Sequence, residues 1–481
     1  MSEGARPAPG PTFIRAGQAL GRQPLPFPPE VASLEEAEDG LAALRAALKG
    51  RDERAVLGCL ALALRAGAPA ASVERAILRV MAEDGEELHS LLFTSAAFDI
   101  AAGLGPEAGK YPLAAAALQV TRQPKDSRVR DLVARARQRA SAATSASMGE
   151  AERALAEALD RSDVARAVDA SIELHRLSGE STFVVNLFAK WSARPEVILK
   201  PAGYVTHLPL QVAAALNLLQ YVSGEEEADL LLGHLAFAQV ELSRRYRTRR
   251  VEPRKVGEES PSEALAAFKG AVQSGDLGAL GPLIARASKG PQGLEETGRA
   301  LQRLALEEEG GLGHRFVLAD AARRLARQLH PAVGRAVLHN AALSIANGYK
   351  GPKKLLDVRD LPHPQPGGRD YAGRLLVGLT SGNLAEAHAG LRGLFESGTS
   401  PRQAALAFLD ASAQTDTAHL TSDHPFILTQ AAWRAIADGS FAGEAVPLLA
   451  ELAAKLALAP KGFELIQAVE EAWSGEAQAP A

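Results

Sequence analysis

Residues 204–243 read YVTHLPLQVAAALNLLQYVSGEEEADLLLGHLAFAQVELS. Two apolar runs, each long enough for a helix, flank the turn SGEEE. His207 heads the first run, two residues before Pro209, and His234 falls early in the second. The arrangement returns at 313–348, GHRFVLADAARRLARQLHPAVGRAVLHNAALSIANG, with His314 and His339. The pairs are separated by 27 and 25 residues in a chain that holds 11 histidines. Helices led or entered by histidine therefore set the expectation for the whole chain.

Composition supports helix throughout. Hydrophobic residues make up 47% of the 481 positions and aromatic residues only 5%, the surplus being mostly alanine and leucine. Those two are strong helix formers, whereas strand cores draw on β-branched and aromatic residues. A formal charge of −4 supplies no global attraction to nucleic acid or to an anionic membrane. The single cysteine, Cys59, excludes an intramolecular disulfide and a cysteine-ligated zinc or iron–sulfur centre, and reads as a small core residue. No run reaches 18 apolar residues, so no transmembrane helix is expected. The first 35 residues, rich in proline, carry no signal-peptide core and read as an extended tail, and a cytoplasmic location is the default expectation.

Four stretches open alike: GLAALRAALKGRDERAVLGCLALALRAG from Gly40, EAERALAEALDRSDVARAVDASIELHRLSG from Glu150, SEALAAFKGAVQSGDLGALGPLIARASKG from Ser262 and DYAGRLLVGLTSGNLAEAHAGLRGLFESG from Asp370. Each gives an Ala/Leu helix, a short polar or glycine turn, a second helix and a closing glycine. Each is followed by a histidine-led helix, at His89, His207, His314 and His424, spaced 118, 107 and 110 residues apart. The expected fold class is all-α, a multi-helical repeat of four related modules of about 110 residues, or two duplicated halves. The expected division is a tail at 1–35, a helical half at 36–245, a linker at 246–261, a second half at 262–470 and a C-terminal tail at 471–481. RRYRTRRVEPRKVGEESPS (244–262) and GYKGPKKLLDVRDLPHPQPGGRD (348–370) read as irregular segments, the first as a solvated linker and not a nucleic-acid surface.

The histidines are also the candidates for chemistry. In TSDHPFILTQAAWRAI, Pro425 suits the first helical position, placing His424 at the N-cap and Asp423 just outside it. The positive end of a helix biases imidazole toward its neutral form, which accepts a proton or binds a metal. His207 is placed comparably, while His234 and His339 fall within apolar helices. The functional reading brings His207, His234, His314, His339 and His424 to one partly enclosed pocket, with His234, His314 and His339 binding substrate. The plain alternative is caps and satisfied core histidines. No HExxH, paired Glu-x-x-His, GxSxG or Walker-type loop occurs, and EEGGLGH does not follow a strand. No metal site is assigned, and the cofactor is left unknown.

YVTHLPLQVAAALNLL, ELHSLLFTSAAFDIA and SDHPFILTQAAWRAI resemble segments of the questin-oxidase-like family of helical proteins, with its His-Leu-Pro element and its Asp-His element near the C-terminus. The resemblance covers about a quarter of the chain. It implies catalytic significance for His89, His207, Asp423 and His424, and oxidation or oxidative cleavage of an aromatic polyketide without a classical flavin motif. The chain departs from the family pattern before His207, where KPAGYVTH replaces a glycine run. Three function classes follow: an oxidoreductase-like protein with a histidine-lined pocket for a small organic molecule, an α-solenoid scaffold for a protein partner, and a metal-dependent enzyme using His207, His234, His314 and His339.

Overall fold

A computed structural model describes residues 37–459, except 85–88, 106–107, 124–125, 143–146, 201–206, 291, 310–311, 365–369 and 414–422. The two tails expected at 1–35 and 471–481 lie outside the described residues. Among the described residues the regular structure is helical apart from one isolated β-bridge and one two-stranded ribbon, as the alanine and leucine content predicts.

The helices come in chain order as groups of five. The first group is α1 (Ala37–Gly50), α2 (Glu53–Arg65), α3 (Ala70–Asp84), α4 (Ser90–Leu104) and α5 (Lys110–Arg122), followed by an additional α6 (Arg128–Ala142). The second is α7 (Met148–Asp160), α8 (Val164–Ser178), α9 (Ser181–Ser192), α10 (Leu208–Leu218) and α11 (Glu225–Arg245). The third is α12 (Pro261–Ser274), α13 (Leu277–Ala287), α14 (Gly293–Glu307), α15 (His314–Gln328) and α16 (Pro331–Ala346). The fourth is α17 (Tyr371–Ser381), α18 (Leu384–Glu396), α19 (Pro401–Ala413), α20 (Asp423–Ala437) and α21 (Ala445–Leu458).

Each group opens with a tight helical hairpin, and the same turn closes all four. A residue with positive φ precedes a short polar residue that starts the second helix: Arg51 (φ 61°) before Asp52, Ser162 (φ 55°) before Asp163, Gly275 (φ 70°) before Asp276 and Gly382 (φ 76°) before Asn383. Asp52, Asp163 and Asn383 accept first-turn N–H groups with their side chains, which satisfies donors that the helix itself cannot. Asp276 makes no such cap bond and pairs instead with Arg254 at 2.5 Å. The left-handed turn suits glycine, and the first two groups carry it on Arg51 and Ser162 at a conformational cost.

The fourth helix of each group lies innermost. α4 packs on α10, α10 on α15, α15 on α20 and α20 back on α4, so the four close a ring. Phe93 of α4 and Phe426 of α20 touch across the closure, ring centroids 4.8 Å apart. One apolar core runs from Leu44 to Leu456 around this ring. The segment expected as a linker is tied down. Arg244 and Arg245 finish α11, and β2 (Arg247–Arg250) pairs antiparallel with β1 (Glu196–Lys200), Glu196 opposite Arg250 and Ile198 opposite Thr248. Beyond it, the Val251 N–H reaches the Pro195 carbonyl and the Arg254 N–H that of Gly278. The second irregular segment bridges back at Glu308 and Pro352, contains a 3-10 turn at Val358–Asp360, and at 365–369 lies outside the described residues. Among the described residues no helix is long and apolar enough to cross a membrane.

Candidate functional site

The ring places the starts of its four helices together. His89 precedes α4, His207 precedes α10, His314 opens α15, and Asp423 and His424 open α20. The imidazoles of His89 and His207 lie 5.2 Å apart between centroids and tilted by 53°, and those of His207 and His314 lie 5.4 Å apart, edge to face. The side chains of Asp423 and His424 lie outside the described residues. His207 is 3% exposed, whereas His314 stands at the surface, so the cluster runs from core to solvent. Beneath the rings Leu92, Leu210, Val317, Ile427 and Leu428 enclose a void of about 10 Å³, room for a single water.

Tyr246, from the segment read as linker, completes the setting of His207. Its hydroxyl accepts the His207 backbone N–H at 3.2 Å and lies 3.2 Å from Nδ1 of the same residue. The hydroxyl keeps a second lone pair, which can take the Nδ1–H of a neutral His207 and leave Nε2 as its acceptor nitrogen. The strand pairing of β2 begins one residue beyond Tyr246 and so helps to hold this hydroxyl in place.

A four-fold pattern underlies the site. The inner helices read HSLLFTSAAFD from His89, HLPLQVAAALN from His207, HRFVLADAARR from His314 and HPFILTQAAWR from His424. Each has histidine first, an aliphatic residue three positions on, two alanines at the seventh and eighth, and a polar or charged residue at the tenth. All eight alanines are buried, which is what close approach of four helices requires. Three of the tenth-position residues, Asp99, Asn217 and Arg434, form a second, polar layer deeper along the ring. Asp99 pairs with Arg434 and accepts from Asn217 Nδ2 and Gln430 Nε2, both at 3.0 Å. Asp320 and Arg324 of α15 lie near this layer; burial raises the Asp320 carboxyl and lowers Arg324 to about 10, with Arg434 adding to the latter shift. Asp99 in turn adds to the burial that lifts Glu74 of α3 to about 7.

His234 and His339 belong to neither layer. His234, on α11, is 1% exposed and donates a ring N–H to the Ala82 carbonyl; burial pushes it down to about 4. His339, on α16, packs against α13 so closely that a Cβ at Gly281 would stand 2.9 Å from its Cε1, and burial also takes it to about 4. The structure therefore joins His207 and His314 to His89, and sends His234 and His339 into other helix contacts. Among the described residues no group of three or more His, Cys, Asp or Glu side chains is arranged to hold a metal ion. Cys59 is buried in α2 with its thiol pushed up to about 11, consistent with a core residue. Tyr246 and the polar layer were missed by the sequence reading; the alanine pair at a constant offset from histidine is the signal that finds the layer. No protein-family model, curated protein or solved structure matches the chain.

Proposed function

We propose that the chain is an oxidoreductase-like protein that takes a small organic molecule of the aromatic, polyketide type against the histidines at the head of the inner ring. The observation that carries this reading is the meeting of His89, His207 and His314, from three separate helices, at 5.2 and 5.4 Å over an apolar floor. Oriented polar groups in an apolar setting are what a small-molecule site needs. The converging helix starts favour a negative charge, and they work against protonating the imidazoles. A phenol fits both conditions: its oxygen takes the water-sized void, a neutral imidazole accepts its proton, and the helix ends stabilise the phenolate. Loss of that proton makes the ring electron-rich, which prepares it for oxidation.

The closed ring favours this enclosed site over a scaffold with an open concave surface. The spectral test uses 4-nitrophenol, whose phenolate absorbs at longer wavelength than the phenol. At about pH 6 the wild type should bind it with growth of the phenolate band, and His207→Gln should not. Binding with an unchanged phenol spectrum would contradict the proposal.

A further inference from the structure

Away from the ring, the first turn of α9, the end of α8 and the first half of α11 contribute one residue each to a relay. Ser181 Oγ lies 3.0 Å from His175 Nε2, and His175 Nδ1 lies 2.7 Å from Asp229 Oδ1 on α11. Asp229 and His175 are buried, at 6% and 8% exposure. The carboxylate fixes the imidazole proton on Nδ1, so Nε2 presents its lone pair to the serine hydroxyl. Ser181 and His175 border an open groove of about 320 Å³ whose apolar side is Leu219, Val222 and Ala228. We propose that this groove is a second, hydrolytic site, with Ser181 as nucleophile and His175 as general base for small carboxylic esters. Asp229 is the positioning residue.

The surroundings supply the remaining parts. Ser181 is the first residue of α9, where backbone N–H groups have no acceptor within the helix. Phe183 N–H is taken by the Glu180 carbonyl, which leaves those of Ser181 and Thr182 to receive a developing oxyanion. His175 sits in the last turn of α8, whose negative end stabilises the imidazolium formed in the reaction. Arg137 Nη1 lies 3.3 Å from Asp229 Oδ2 on the side away from His175 and shares its charge. The exposed carboxylates of Glu180 and Glu225 flank the groove and select neutral or cationic esters over anionic ones.

In the reaction Ser181 Oγ bonds to the ester carbonyl carbon while its proton passes to His175 Nε2. The carbon–oxygen bond to the alcohol then breaks, and the alcohol leaves with that proton. Water adds to the acyl-serine by the same route, its proton going to Nε2 and on to Oγ as the carboxylic acid departs. No co-reactant other than water is needed.

Two measurements on the full chain test this. A fluorophosphonate probe should label the folded wild type, with the adduct mapped to Ser181 by peptide mass. With 4-nitrophenyl acetate, Ser181→Ala and His175→Gln should each lower kcat/KM at least about 100-fold. Ser181→Ala should keep the wild-type melting temperature. Asp229→Asn should lower kcat with KM unchanged, a split that a purely structural ion pair would not produce. No adduct at Ser181 in folded wild type, or wild-type hydrolysis by Ser181→Ala, overturns the proposal. Both readouts are independent of His207, so they stand or fall apart from the ring site.

Discussion

Asp99 binds three inner helices together through one carboxylate. It pairs with Arg434 of α20, accepts from Gln430 of the same helix and from Asn217 of α10, and itself belongs to α4. Asp99→Asn keeps the shape but leaves the Arg434 guanidinium without its counter-charge in a largely buried place. The loss should be about 3 kcal/mol, read from chemical denaturation. His234 offers a second test at this scale. Its folded pKa of about 4 lies below the ordinary 6.5, so between those values the unfolded chain binds the proton and the folded chain does not. The neutral ring therefore contributes stability that is present above about pH 6.5 and is lost as pH falls toward 4, on the order of 3 kcal/mol in all. The wild type should lose melting temperature over that window relative to His234→Gln. An equal pH response in the two proteins would show that His234 does not carry the effect. The sequence sets His207 at the head of its helix and His234 within one, but it does not show that packing sends His234 to the Ala82 carbonyl and His207 to His89 and His314.

Helical elements were the most readable part of the chain, because alanine and leucine periodicity and helix caps are local. Ser147 with Glu150 and Ser260 with Glu263 form capping boxes at the starts of α7 and α12, where the second and third module openings were expected. The basic stretch at 244–250 was misleading for the opposite reason. Its strand pairing depends on β1, 52 residues away across the Glu196–Thr248 hydrogen bond, and its contact with His207 is made by Tyr246. The repeated hairpin turn gives a direct element-scale prediction. Ser162 adopts φ 55° where Gly275 and Gly382 serve in the third and fourth groups. Ser162→Gly should relieve the left-handed strain and stabilise the protein by about 1 kcal/mol, whereas Gly382→Ala should destabilise it by a similar amount. Urea midpoints of the two variants moving in the same direction would contradict this account of the turn.

Across the whole molecule, the ring joins first group to last, since α4 packs on α20 as well as on α10. We infer that the groups of five helices are copies of one unit, because hairpin turn, histidine position and alanine pair recur together. Superposing the groups should bring residues 89, 207, 314 and 424 to equivalent Cα positions; scatter among them would end the repeat reading. Ring closure also predicts one cooperative unfolding transition. Single-tryptophan variants reporting from Trp191 in the second group and Trp433 in the fourth should melt together. Separate midpoints would mean two halves folding independently about residues 246–261. The most direct test of the histidine site pairs affinity with stability. A hydroxyanthraquinone is titrated into the wild type, His207→Gln and His314→Gln, and the three proteins are melted alongside. The account predicts saturable binding by the wild type, at least about a tenfold loss of affinity in each variant, and melting temperatures within about 3 °C of one another. Equal affinity in all three proteins, or no binding by the wild type, would contradict it.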